Sequence, residues 1–149
     1  MRALLQRVSR AEVRVDGHTI GAIDRGLVVL LGVGPGDDGA IADRLARRII
    51  ELRIFADDEG RTNRSLVDVA GGALVVSQFT LYADTTRGRR PGFTGAADPA
   101  LAKACYESVA AAIEAQGVPV ARGRFGAPME VELVNEGPFT IWLDTADWS

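Results

Sequence analysis

Residues 26–33, GLVVLLGV, contain no polar side chain, and residues 72–83, GALVVSQFTLYA, are as apolar until Ser77. A strand with one wet face alternates apolar and polar residues, so an unbroken apolar run reads as a central strand buried on both faces. Two helices supply cover. Ile41, Leu45, Ile49 and Leu52 recur at helical spacing between about Asp38 and Arg53, with Arg44, Arg47, Arg48 and Glu51 on the outer side and Asp37 or Asp38 as N-cap. The second helix opens on Asp98 as N-cap and Pro99 at the first helical position. It carries a stripe of Leu101, Cys105, Val109 and Ile113, and ends at Gly117 and Pro119.

Further strands are expected at 3–9 and 11–17, the second turning at Asp16-Gly17 into HTIGAID. RIFADDEGRTNRSL reads as a short strand and a turn-rich loop around Asp58-Glu59-Gly60, and VPVARGRF as a late strand. MEVELVN and PFTIWLDT read as a hairpin-like pair broken at Gly137-Pro138. The expected fold is a mixed α/β (α+β) domain over residues 1–149, with two main helices on a mostly antiparallel, mixed sheet curling toward a barrel.

Composition removes several function classes. No apolar run approaches the ~20 residues that span a bilayer, and MRALLQRVSRAEV lacks the apolar core of a signal peptide. One cysteine, Cys105, fits a reducing compartment, so a cytoplasmic protein without membrane contact is expected. With one His and one Cys a zinc site is not expected, and neither metal nor cofactor is assigned. A Ser-His-Asp site would have to use His18, which follows a hairpin turn with no nucleophile or carboxylate placed beside it. The net charge of −3 argues against a generic nucleic-acid coat but leaves room for a local basic patch.

Three segments carry candidate chemistry. LGVGPGDDG (31–39) sits where phosphate loops live, but the third glycine of G-x-G-x-x-G falls on Asp37 and no Gly-Lys-Ser/Thr follows. Two carboxylates there would repel phosphate, so it reads as a turn and cap. SQFTL (77–81) places Ser77, Gln78 and Thr80 at the end of a buried strand, where polar groups bond to backbone or face a cavity. RGRRPGF (87–93) sets Arg87, Arg89 and Arg90 beside Phe93, cations for phosphate and a ring for stacking on a single-stranded RNA end. A solvated charged loop is the alternative. Arg61, Arg64, Arg122 and Arg124 could extend the patch.

The chain resembles the D-aminoacyl-tRNA deacylases over nearly its whole length. The resemblance runs through LLQRVSRAEVRVDG, GLVVLLGV, RIFADDEGRTNRS, VVSQFTL, ADTTRGRRPGF, GRFGAPMEVEL and VNEGPFTIWL. Its two signature motifs stand as Ser77-Gln78-Phe79-Thr80 and Asn135-Glu136-Gly137-Pro138-Phe139-Thr140. Phe139 occupies a position that is often a smaller apolar residue in the family. The resemblance implies a homodimeric, metal-free hydrolase of the ester joining a D-amino acid to the 3′ end of tRNA, which also clears glycine mischarged on alanine tRNA. It implies a site at the subunit interface, with Ser77, Gln78, Phe79 and Thr80 as pocket floor. A cis Gly137-Pro138 pair from the other subunit would act as chiral filter, Arg7 would anchor that loop, and Met129 would line the adenosine end. Backbone N–H groups near Phe79 and Thr80 could hold the oxyanion, with the terminal 2′-hydroxyl assisting attack. The rivals are a general esterase using Ser77 or Thr80, and a non-catalytic module that binds the tRNA end.

Overall fold

Both apolar runs lie at the centre of one sheet in the computed structural model, which describes all 149 residues. Strands β3 (Gly26–Gly32) and β6 (Gly72–Ser77) pair in parallel, from Gly26 opposite Gly72 to Leu31 opposite Ser77. Their side chains alternate between two interiors. Leu27, Val29, Leu31, Ala73 and Val75 face the cluster beneath the helices, whereas Val28, Leu74 and Val76 join Val8, Ala11 and Val13 in a second one. Neither face meets water, which is why polar residues have no place in either run.

The sheet order is β2–β1–β3–β6–β7, with β8 on the other edge of β1. Strand β1 (Arg2–Val15) is continuous where two strands were expected. Residues 2–8 pair with β3, residues 11–15 pair with β2 (His18–Ile23), and β8 (Glu130–Asp144) runs antiparallel along its length. β7 (Val120–Arg122) approaches β2, since a Cβ built on Gly21 would sit 3.1 Å from the Arg122 carbonyl oxygen. The sheet therefore nearly closes into a barrel, with the second cluster as its filling.

Helix α1 (Gly39–Glu51) separates β3 from β6, and α2 (Pro99–Ala115) separates β6 from β7. Parallel neighbours need such crossovers. The Asp38 carboxylate accepts from the Ile41 N–H at 2.9 Å and that of Asp98 from the Leu101 N–H at 3.1 Å, so both expected N-caps are made. The loop after α1 forms a short hairpin, β4 (Phe55–Ala56) with β5 (Thr62–Arg64), which anchors Phe55 in the core.

Two further expectations are corrected. The strand expected over 72–83 stops at Ser77. The Gln78 N–H still donates to the Leu31 carbonyl at 2.7 Å, but residues Phe79–Tyr82 then wind into a 3-10 turn. The hairpin expected at Gly137-Pro138 is a single strand, both of whose arms pair with β1. Gln6 faces Thr140 while Val8 faces Asn135, so residues 136–139 have no opposite number and bulge out of the ladder.

Candidate functional site

The end of β6 forms the floor of an open pocket of about 630 Å³. Ser77, Gln78 and Phe79 line it, as do Phe93 from the following loop and Phe125 and Met129 from the segment between β7 and β8. The Phe79 and Phe93 rings meet edge to face, 5.0 Å between centroids, and both are exposed, at 54% and 39%. Two aromatic rings left in water at a pocket mouth offer a stacking surface for a flat ligand. Met129 is fixed by the Arg124 N–H, which donates to its sulfur at 3.4 Å.

Thr80 does not line the pocket. Its hydroxyl accepts a short hydrogen bond from the Gln78 side-chain amide, which ties together the two polar residues flanking Phe79. The N–H groups of Phe79 and Thr80 open the 3-10 turn, and the first donors of any helical turn have no partner within it. Arg2 holds the other end of this turn. It donates from Nη1 to the Leu81 carbonyl at 2.9 Å and from Nε to Asp144 at 3.0 Å, with its guanidinium 4.3 Å from the centre of the Tyr82 ring.

No lining side chain ionises: Ser77 and Gln78 are the only polar ones among alanine, proline, glycine, methionine and apolar residues. The nearby Tyr82 phenol is pushed up to about 12, chiefly by burial, with Asp37 and Asp144 adding to the shift and Arg2 opposing it. It stays protonated at neutral pH and cannot serve as a base there. A Ser-based esterase would need an imidazole or carboxylate beside Ser77, and the pocket has neither. Nowhere do three or more His, Cys, Asp or Glu side chains gather as metal ligands.

Arg7, Gly137 and Pro138 form a second assembly and do not line the pocket of their own chain. The Gly137–Pro138 peptide bond is cis, and both residues are exposed on the β8 bulge. A Cβ on Gly137 would lie 1.9 Å from the Phe139 nitrogen, so only glycine fits. The bulge is braced from beneath. Arg7 donates to the Glu136 carbonyl at 2.9 Å and to the Ile54 carbonyl at 2.6 Å, and lies 4.5 Å from the centre of the Phe139 ring. The large Phe139 thus supplies a platform for the guanidinium. Asn135 donates to the Arg7 carbonyl at 2.9 Å and to the Phe139 carbonyl at 3.1 Å, and accepts from the Phe139 N–H at 3.4 Å. The bracing by Asn135 and the clamp by Arg2 have no local sequence signal, because both depend on segments far apart in the chain.

The other candidates resolve simply. In LGVGPGDDG a Cβ on Gly34 would sit 3.0 Å from the Tyr82 hydroxyl, and Asp37 accepts from the Gly34 N–H at 2.7 Å, so the loop packs on the 3-10 turn. His18 is exposed at the β1–β2 hairpin. Cys105 is buried on α2, and burial raises its thiol pKa. Of the basic residues, Arg61, Arg64 and Arg122 pair with Glu59, Asp58 and Glu114 at 3.5, 3.1 and 3.0 Å. No helix is long and apolar enough to cross a membrane.

Comparison with known proteins converges on one family. Residues 4–144 match the sequence model of D-Tyr-tRNA(Tyr) deacylase. The chain is 61% identical over 146 residues to a D-aminoacyl-tRNA deacylase of Roseiflexus castenholzii, covering 98% of this chain and 93% of that protein. It is 58% identical over 144 residues to that of Ruegeria pomeroyi, covering 97% and 99%. A solved structure described as c-Myc DNA Unwinding Element Binding Protein superposes with a TM-score of 0.91 at 38% identity, over 97% of this chain and 98% of that one. A probable eukaryotic D-amino acid tRNA deacylase shares the fold, with a TM-score of 0.82 at 19% identity over 95% and 97%. With one signature motif at the pocket, the other on the braced bulge, and relatives matched over nearly the whole chain, the chain belongs to the D-aminoacyl-tRNA deacylases, a family of ester hydrolases.

Proposed function

We propose that this protein hydrolyses the ester joining a D-amino acid to the 3′-terminal adenosine of tRNA, and removes glycine mischarged on alanine tRNA by the same route. The observation that carries the mechanism is a pocket without an ionisable lining side chain whose floor ends in free backbone donors. An aminoacyl ester is already activated and needs positioning more than acid–base chemistry. The pocket volume suits a nucleoside with a small acyl group. In this reading Phe79 and Phe93 offer a stacking face for the adenine and Met129 lines the nucleoside end. The N–H groups of Phe79 and Thr80 receive the tetrahedral oxyanion. Gln78 and Thr80 hold that turn in shape, Ser77 completes the floor, and the vicinal 2′-hydroxyl of the substrate assists attack of water.

The filter completes the site in a homodimer, where Gly137-Pro138 of one subunit enters the pocket of the other. The bulge is exposed and braced, and it shares its strand with the exposed apolar residues Val131, Val134 and Trp142. Apolar surface of this kind favours a covering partner. Once amine and ester are pinned by main-chain groups, an L side chain points into this backbone wall and a D side chain points away. Glycine has no side chain to clash, hence the second substrate. Rapid acid quenching during turnover tests the mechanism. No aminoacyl-protein ester should be trapped, and a substrate ending in 2′-deoxyadenosine should react at least ~100-fold more slowly, the scale of a lost proton-transfer group. An aminoacyl ester on Thr80 would overturn the mechanism.

A further inference from the structure

Resting on the reading of tRNA as substrate, we propose that the loop 84–92 is a pre-shaped arm that grips phosphates of the single-stranded tRNA 3′ end with Arg87, Arg89 and Arg90. The loop lacks regular secondary structure, yet its base is closed. The Asp84 N–H donates to the Gly92 carbonyl at 2.7 Å and the Gly92 N–H returns to the Asp84 carbonyl at 2.9 Å. The Asp84 carboxylate is occupied within the arm, accepting from the Thr86 N–H at 2.9 Å and the Thr86 hydroxyl at 2.6 Å. These bonds hold the carboxyl below its ordinary pKa, so it stays ionised and committed to the loop rather than to an arginine.

The three guanidiniums at the tip are exposed, and none has a carboxylate within 4.0 Å. Several arginines elsewhere are paired, including Arg10 and Arg14 with Glu132 at 3.8 and 2.9 Å and Arg61, Arg64 and Arg122 with the acids named above. Arg44 and Arg48 lie over the Trp148 ring, whereas Arg47, Arg53 and Arg124 are also without a carboxylate in reach. In a chain of net charge −3, three cations within four residues, none with a carboxylate in reach, make a local positive patch suited to a polyanion. Their position fits the reading. Phe93, at the pocket mouth, follows Arg90 by three residues, a backbone span of at most about 10 Å. A strand whose terminal base reaches Phe79 and Phe93 leaves past these side chains, and guanidinium forks match phosphate oxygens.

The test is the salt dependence of uncharged tRNA binding, measured by fluorescence anisotropy from 50 to 200 mM NaCl. Each phosphate contact to a single strand contributes about 0.7 to the slope of log K against log salt. Three contacts therefore account for roughly 20-fold of the weakening across this range. The triple variant Arg87→Gln, Arg89→Gln, Arg90→Gln should lose about 2 from the slope. The double variant Arg61→Gln, Arg64→Gln, whose cations are already paired, should lose much less. A triple variant with the wild-type slope, or a double variant flattened equally, would overturn the arm. Hydrolysis of D-aminoacyl-adenosine by the unmodified protein probes the catalytic reading separately. If that fails while the slopes separate as stated, the arm stands and the catalytic reading falls.

Discussion

Replacing Arg7 with lysine isolates the bracing of the Gly137-Pro138 bulge. The arginine side chain is 12% exposed and donates to two carbonyls, from Nε to Glu136 on the bulge and from Nη1 to Ile54 after α1. A lysine ammonium keeps the charge but cannot span both carbonyls as a planar fork does. One charge-assisted hydrogen bond is therefore lost, at about 1.5–3 kcal/mol, and water reaching the half-buried Glu136 backbone moderates this to about 2 kcal/mol. The contact with the Phe139 ring, worth about 0.5–1 kcal/mol, survives in part. Arg7→Lys should thus lower the melting temperature by about 4–8 °C at fixed protein concentration. The released Glu136 carbonyl loosens the wall next to it, so the ratio of kcat/KM for D- over L-aminoacyl-tRNA should fall by about tenfold, equivalent to ~1.4 kcal/mol. Thermal unfolding and single-turnover deacylation of matched enantiomers read the two effects. An unchanged melting temperature together with an unchanged D:L ratio would refute the brace.

Three further outcomes follow from the same geometry. Asn135→Asp cannot donate to the Arg7 and Phe139 carbonyls and turns a carboxylate toward both, so urea denaturation should show a loss of about 2–3 kcal/mol; an unaltered midpoint contradicts this. Because nothing lining the pocket ionises, the pH–rate profile from pH 5 to 9 should contain no inflection beyond that of the substrate's own α-amine; an added inflection would reveal an acid or base from elsewhere. The Asp84 carboxyl has its pKa lowered below its ordinary 3.8 by the Thr86 hydroxyl and N–H, so its contribution to loop order is present above that value and lost as pH falls through the lower folded value. The Thr86 amide should show this in NMR as a transition below pH 3.8, absent in Asp84→Asn.

Sequence pattern revealed whatever is dictated locally. The runs around Val28 and Val75 announced strands buried on both faces, and Asp38 and Asp98 announced helix starts, since each signal lies within a few residues of its consequence. The β8 bulge did not show itself. Gly137-Pro138 reads as a turn because periodicity reports local backbone, whereas the continuity of β8 comes from pairing both its arms with β1, more than a hundred residues away. The end of β6 was hidden for a similar reason. Phe79, Leu81 and Tyr82 prolong the apolar pattern, yet the chain leaves the sheet because Tyr82 packs on Gly34 and Arg2 holds the Leu81 carbonyl. Half of the candidate site was legible through its motifs. Phe125 and the clamps by Arg2 and Asn135 reach it only through the tertiary fold.

Chiral selection by hydrolysis at the pocket at the end of β6, with the Gly137-Pro138 backbone as the selective wall, is the activity on which the proposed function stands. Incubating the protein with tRNA carrying the D or the L form of one amino acid, and following loss of the ester, tests it most directly. Rapid loss of the D-aminoacyl ester and of glycyl-tRNA is expected, with the L-aminoacyl ester decaying at its uncatalysed rate. Equal rates on both enantiomers, or no acceleration of either, would contradict it.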